Sequence, residues 1–64
     1  MKRKDLIRYI LSFGCGIERE GSHHTVFINF NSGQVSTVPQ HKEIHTFLGR
    51  KICKDLGIPP IGKR

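Results

Sequence analysis

The 64-residue chain has no tryptophan, only two cysteines and three prolines, and five acidic residues against eleven lysines and arginines. Each scarcity excludes something. Cys15 and Cys53 stand far apart with no Cys-x-x-Cys spacing, which argues against a disulfide scaffold and against a zinc knuckle. A metal site gathered from Cys15, His41, Cys53 and a histidine of residues 23–24 has no local pattern behind it; two small buried thiols are the simpler expectation. No apolar run approaches the roughly 20 residues that span a bilayer, and no signal-peptide pattern precedes the first helical stretch, so the expectation is a cytoplasmic protein. The shortage of acids leaves a formal net charge of +6 and a pI near 9.9, which predicts attraction to polyanions, nucleic acid ahead of membrane. A chain this short forms one domain with a thin core.

What is present reads in order. Leu6, Ile7, Ile10 and Leu11 recur at helical spacing, with Lys2, Lys4, Asp5 and Arg8 on the other face, predicting a helix over residues 2–13 that Gly14 ends. Residues 15–20 form a short edge strand with Ile17 inward and Glu18 and Glu20 outward, and Gly21-Ser22 reverses the chain. The next strand, residues 24–30, is expected to turn Val26, Ile28 and Phe30 toward the helices and Thr25, Phe27 and Asn29 away. Asn31-Ser32-Gly33 is a hairpin turn, residues 34–38 a third strand closed by Pro39, and residues 40–45 a polar loop. Thr46 is the expected N-cap of a second helix carrying Phe47, Leu48, Ile52 and Leu56 inward, stopped by Gly57 and by Pro59 and Pro60. Residues 58–64 make a loosely held tail.

The order α-β-β-β-α, with two amphipathic helices and a sheet apolar on one face, is an α+β architecture. It is economically satisfied by a three-stranded antiparallel sheet with both helices on one side, the arrangement of a double-stranded-RNA-binding domain. Phe27 is the odd residue, apolar on the face expected to be open. It could stack on a base, lie beneath a protein partner, or be core in a slipped register.

The starting helix with Leu6-Ile7, the turn Gly21-Ser22-His23, the strand end Val38-Pro39 with His41 shortly after, and the closing helix Phe47-Leu48-Gly49-Arg50-Lys51-Ile52 running to Leu56-Gly57 resemble one family. It is that of the HicA-type (YcfA-like) toxins of bacterial toxin-antitoxin systems, and the resemblance covers nearly the whole chain. It implies the double-stranded-RNA-binding-like fold, mRNA cleavage, and a HicB-type antitoxin that holds the toxin inactive, so that a free monomer becomes a hetero-oligomer. It also implies a catalytic histidine at His23 or His24, since family members place it directly after Gly-Ser or one residue later, with Gly21 and Ser22 positioning it. The family's Gly-Thr-Leu-Arg at the start of the last helix is here Thr46-Phe47-Leu48-Gly49-Arg50, with the glycine displaced.

Strand alternation puts His23 with Thr25 and Asn29 on the face expected to be open, and so prefers it over His24. RNA supplies its own 2′-hydroxyl nucleophile, so one imidazole and a cationic surface suffice for cleavage without metal or other cofactor. The expected RNA contacts are Lys2, Lys4, Arg8, His41, Arg50, Lys51 and Lys54, with Arg3, Lys63 and Arg64 adding to the same excess; helices packed side by side would join them into one field. The rival is a non-catalytic double-stranded-RNA-binding module of the same fold and charge. A binding-only relative with decayed catalytic geometry is a third reading.

Overall fold

The computed structural model describes residues 1–62. Helix α1 (Arg3–Leu11) leads into a sheet of β1 (Cys15–Glu20), β2 (His24–Asn29) and β3 (Val35–Pro39), and helix α2 (Thr46–Asp55) follows. The sheet is antiparallel in the order β1-β2-β3, so the strand that begins with His24 is central and β1 is an edge, as its sequence suggested. The α-β-β-β-α order and the α+β class are those expected. Among the described residues no helix is long and apolar enough to cross a membrane.

The central strand presents the opposite face from the one its apolar residues suggest. Thr25, Phe27 and Asn29 are buried, whereas Val26 and Ile28 are half-buried on the open side and Phe30 is 70% exposed. Phe27 sits in a core with Leu6, Ile10, Val38, Ile44, Ile52 and Leu56; burial of such a ring is worth about 1.5–3 kcal/mol. Its two polar neighbours face inward at little cost because both are hydrogen-bonded. The Asn29 amide donates to the Leu56 carbonyl at 2.7 Å while its Oδ1 accepts from the Asn31 amide at 2.9 Å. Phe30 lies instead over Gly16, where a Cβ would come within 2.6 Å of its ring.

The edge strand differs too. Its pairing with β2 runs Ile17 opposite Phe27 and then Arg19 opposite Val26, so Glu18 is an extra, bulged residue. Antiparallel partners share a face. Glu20, expected outward, therefore points with Thr25 toward the helix side, and Arg19 points with Val26 to the open side. Ile17 shares Phe27's side but is 52% exposed because it lies on the sheet edge.

Helix α2 is rotated relative to expectation. Its N-cap is His45, not Thr46, and its inward stripe is Gly49, Ile52, Cys53 and Leu56, a regular helical spacing whose first member is a glycine. The Met1 thioether occupies the space a Gly49 side chain would fill, its Sδ 2.8 Å from that Cβ position. Phe47 and Leu48, expected in the core, are 78% and 38% exposed. Gly57 ends the helix at φ +73°, a conformation that favours glycine, with the Gln34 side chain pressed against it. After it Ile58 is buried, Ile61 packs on the core, and the Tyr9 hydroxyl donates to the Pro59 carbonyl at 2.7 Å. Lys63 and Arg64, the end of the expected tail, lie outside the described residues.

Candidate functional site

Two adjacent histidines stand at the turn joining β1 to β2, and three neighbouring segments hold that turn. The Gly21 amide donates to the His24 carbonyl at 2.7 Å, leaving Ser22 and His23 as the connection. A Cβ on Gly21 would meet the same carbonyl at 3.0 Å, which accounts for the glycine. From the other side Gln40, just past β3, donates its amide N–H to the His23 carbonyl at 3.2 Å and its side chain to the Gly21 carbonyl at 3.2 Å. His24 pairs with Pro39 across the β2–β3 ladder.

Beneath the turn runs a chain of polar contacts that spans the helix layer and the hairpin. Arg3, in the first turn of α1, donates from Nε to the Pro39 carbonyl at 2.8 Å and from Nη2 to Thr25 Oγ1 at 3.0 Å. The Thr25 hydroxyl in turn donates to Glu20 Oε1 at 3.1 Å. Thr25 is 1% exposed, so its hydroxyl, which accepts from Arg3 and gives its one proton to Glu20, makes a charge-assisted bond in low dielectric. The backbone around His24 is thus fixed by Arg3, a cation that composition alone marks only as surface charge.

Both histidine side chains are exposed. His24, the first residue of β2, shares its face with Val26 and Ile28, which is the open one. The premise that put His23 on the open face is therefore overturned, because Thr25 and Asn29 point into the core; His23 belongs to the connection itself. Arg19, opposite Val26, and Thr37, on the other side of Val26, are the diagonal neighbours of His24 on that face, at a separation of about 7–8 Å that a long side chain bridges. Arg19 escaped the sequence reading because strict alternation puts it with Ile17; the Glu18 bulge is what turns it over, and nothing local in Glu18-Arg19-Glu20 announces a bulge.

The cations named from the sequence fall in two places. Lys2 and Lys4 line an open hollow with Arg3, Gln40, Lys42 and Glu43, next to the histidine turn. Arg50, Lys51 and Lys54 line a second one along α2. Arg8 is exposed and 3.8 Å from Asp5, and Lys51 is held 3.0 Å from Asp55. His41 is exposed in the loop between β3 and α2. His45 is fixed by its cap, with Nδ1 accepting the Phe47 amide at 3.2 Å.

Cys15 and Cys53 are both buried free thiols, and burial pushes the thiol of each above its ordinary value, for Cys15 with a smaller contribution from Cys53. They are packing groups, poor in the thiolate that reactivity and metal binding require. Among the described residues no three metal-ligating side chains come together.

A family model described as the HicA toxin of bacterial toxin-antitoxin systems matches residues 3–58. No curated protein and no solved structure gives a match.

Proposed function

Since this chain belongs to the family of HicA toxins of bacterial toxin-antitoxin systems, we propose that it is a ribonuclease that cleaves mRNA with a single histidine at the head of β2 and is neutralised by a HicB-type antitoxin. The observation that carries this reading is the exposed His24 on the open sheet face, held by a backbone that Gly21, Gln40 and Arg3 fix from three sides. A fixed backbone matters because proton transfer needs the imidazole within hydrogen-bond reach of the reacting hydroxyl.

The chemistry is a transesterification. The imidazole takes the proton of an RNA 2′-hydroxyl, the 2′-oxygen bonds to the adjacent phosphorus, and the bond from phosphorus to the 5′-oxygen breaks. The leaving oxygen collects a proton from the imidazolium, so the histidine ends as it began and a 2′,3′-cyclic phosphate remains. Negative charge accumulates on the phosphoryl oxygens midway, and Arg19, on the same face, is the cation best situated to offset it. Lys2, Lys4 and Lys42, in the hollow beside the turn, hold flanking phosphates. An antitoxin that covers the open face would withhold the histidine from RNA.

The test is cleavage of a long single-stranded RNA in EDTA by the parent protein and by His23→Ala and His24→Ala variants shown to be folded by circular dichroism. The parent is expected to cut and leave 2′,3′-cyclic ends, and His24→Ala to lose about a hundredfold or more of the rate, the typical worth of a general base. A dead His23→Ala beside an active His24→Ala would transfer the role to His23. Three proteins that shift RNA on a gel yet leave it intact would replace the ribonuclease reading with that of a binding module.

A further inference from the structure

Phe47 is the most exposed large apolar side chain among the described residues, at 78%, and it lies in the first turn of α2. It is also ordered by a neighbour: its ring stacks on His45 with centroids 5.7 Å apart and planes 10° from parallel. That histidine ring is itself fixed, because its Nδ1 caps the helix by accepting the Phe47 amide. The outer face of Phe47 therefore extends a two-ring stack into solvent. The groove beside it has an apolar lining from Phe47, Ile58 and Pro60 and three cations, Arg50, Lys51 and Lys54, with no acidic side chain in the lining. Asp55 takes up Lys51 at 3.0 Å, and among the described residues Arg50 and Lys54 have no ion-pair partner.

We infer that the His45–Phe47 stack with Arg50 and Lys54 is a nucleobase subsite for single-stranded RNA, separate from the histidine turn. An unpaired base continues the stack on Phe47, and the phosphates that flank it meet Arg50 and Lys54. Aromatic stacking platforms edged by cations suit single-stranded nucleic acid because every base offers a π-face and every linkage a negative charge. A purely apolar partner would leave the cations unpaired, whereas a polyanion with planar groups satisfies both halves of the groove. The loop of residues 40–45 joins the two sites: Gln40 touches the histidine turn and Phe47 lies seven residues on, at most about 25 Å of chain away. The same loop contributes Gln40, Lys42 and Glu43 to the lining of the hollow that holds Lys2 and Lys4.

The choice of RNA as ligand rests on the proposed function, but the test does not require catalysis. Binding of a short fluorescein-labelled 2′-O-methyl RNA, which has no free 2′-hydroxyl and cannot be cut by this chemistry, is followed by anisotropy at fixed salt. Phe47→Ala is expected to weaken binding about five- to 150-fold, the measured range for loss of one stacked base. Phe47→Trp is expected to restore affinity and to have its fluorescence quenched by the RNA. Arg50→Gln should lower the slope of log affinity against log salt by about one phosphate's worth. Equal RNA affinity of Phe47→Ala and the parent overturns the inference, and does so equally if Phe47→Ala instead lowers affinity for a synthetic acidic amphipathic peptide, which would make the groove a protein-docking surface. A chain that binds the probe through Phe47 yet cuts no RNA refutes the ribonuclease reading alone.

Discussion

The Arg3 guanidinium reaches from the first turn of α1 to the buried hydroxyl of Thr25, 3.0 Å away, and so ties the helix layer to the strand that presents His24. With its second bond to the Pro39 carbonyl, Arg3 closes both strands of the β2–β3 ladder at their histidine end. Thr25→Val keeps the shape but leaves the Arg3 Nη2 and Glu20 Oε1 without this partner. It is expected to cost about 1–3 kcal/mol and to speed exchange of the Gly21 and Gln40 amides, which hold the turn, more than that of Ile10. A urea midpoint equal to that of the parent would show the network to be idle.

Arg19 should matter to rate and not to folding. Its side chain is exposed on the open face, so Arg19→Gln is expected to leave the melting temperature within about 2–4 °C. The cleavage rate should fall roughly ten- to a hundredfold, less than an enclosed oxyanion donor is worth because the open face is wet. Single-turnover cleavage at saturating protein separates this from weakened binding, and an unchanged single-turnover rate removes Arg19 from the reaction.

Phe27 and Phe30 invert the roles that their sequence positions suggest. Phe27→Ala removes a fully buried ring and is expected to cost about 3–5 kcal/mol, enough to unfold much of the population of so small a domain. Phe30→Ala removes a ring that lies over Gly16 and is 70% exposed, and should cost less than about 1 kcal/mol. Thermal unfolding of the two variants decides, and similar losses would mean that the open face is covered in solution.

Asn29 joins the end of β2 to the end of α2 through its bond to the Leu56 carbonyl. Asn29→Leu, branched alike but bulkier, strands that carbonyl and the Asn31 amide and is expected to destabilise by at least about 1–3 kcal/mol. A stabilised Asn29→Leu protein would show that the inward polar side chain is tolerated and contributes nothing.

Stability should decline on the alkaline side. Burial raises both thiols, and the Tyr9 hydroxyl as well, above their ordinary values, so the folded state keeps these protons to a higher pH than the unfolded chain does. The stability this confers is complete below the unfolded thiol value of about 8.5 and is lost as pH rises through the folded values. The urea midpoint is expected to be lower at pH 10 than at pH 7 (roughly the span across the thiol range), and labelling of Cys53 by a disulfide reagent should occur only on unfolding. Rapid labelling of the native protein at neutral pH would contradict the burial.

Element order and approximate extents were legible because they rest on local chemistry: Gly14, Asn31-Ser32-Gly33 and Gly57 punctuate the chain, and helical spacing marks Leu6 and Ile10 on α1 and Ile52 on α2 with Leu56 at its C-cap. The family was legible from Gly21-Ser22-His23 and Val38-Pro39 with His41, and its model spans residues 3–58. The faces were not legible. Apolar alternation in β2 favours Val26, Ile28 and Phe30, yet the side that packs is the one whose polar members find partners, Arg3 for Thr25 and Leu56 for Asn29, and those partners are distant in sequence. The same holds for α2, where Gly49 faces inward against Met1 and Phe47 outward, and for β1, where a bulge at Glu18 moves Arg19 to the face of His24. The sequence by itself determined which elements form and which residues are capable of chemistry, since propensity, turns and charge are properties of neighbours along the chain. Which side of β1, β2 and α2 meets the core, and therefore which of two adjacent histidines shares a face with a cation, was decided only by the tertiary structure, because a one-residue change of register exchanges the two faces of a strand while its sequence stays the same.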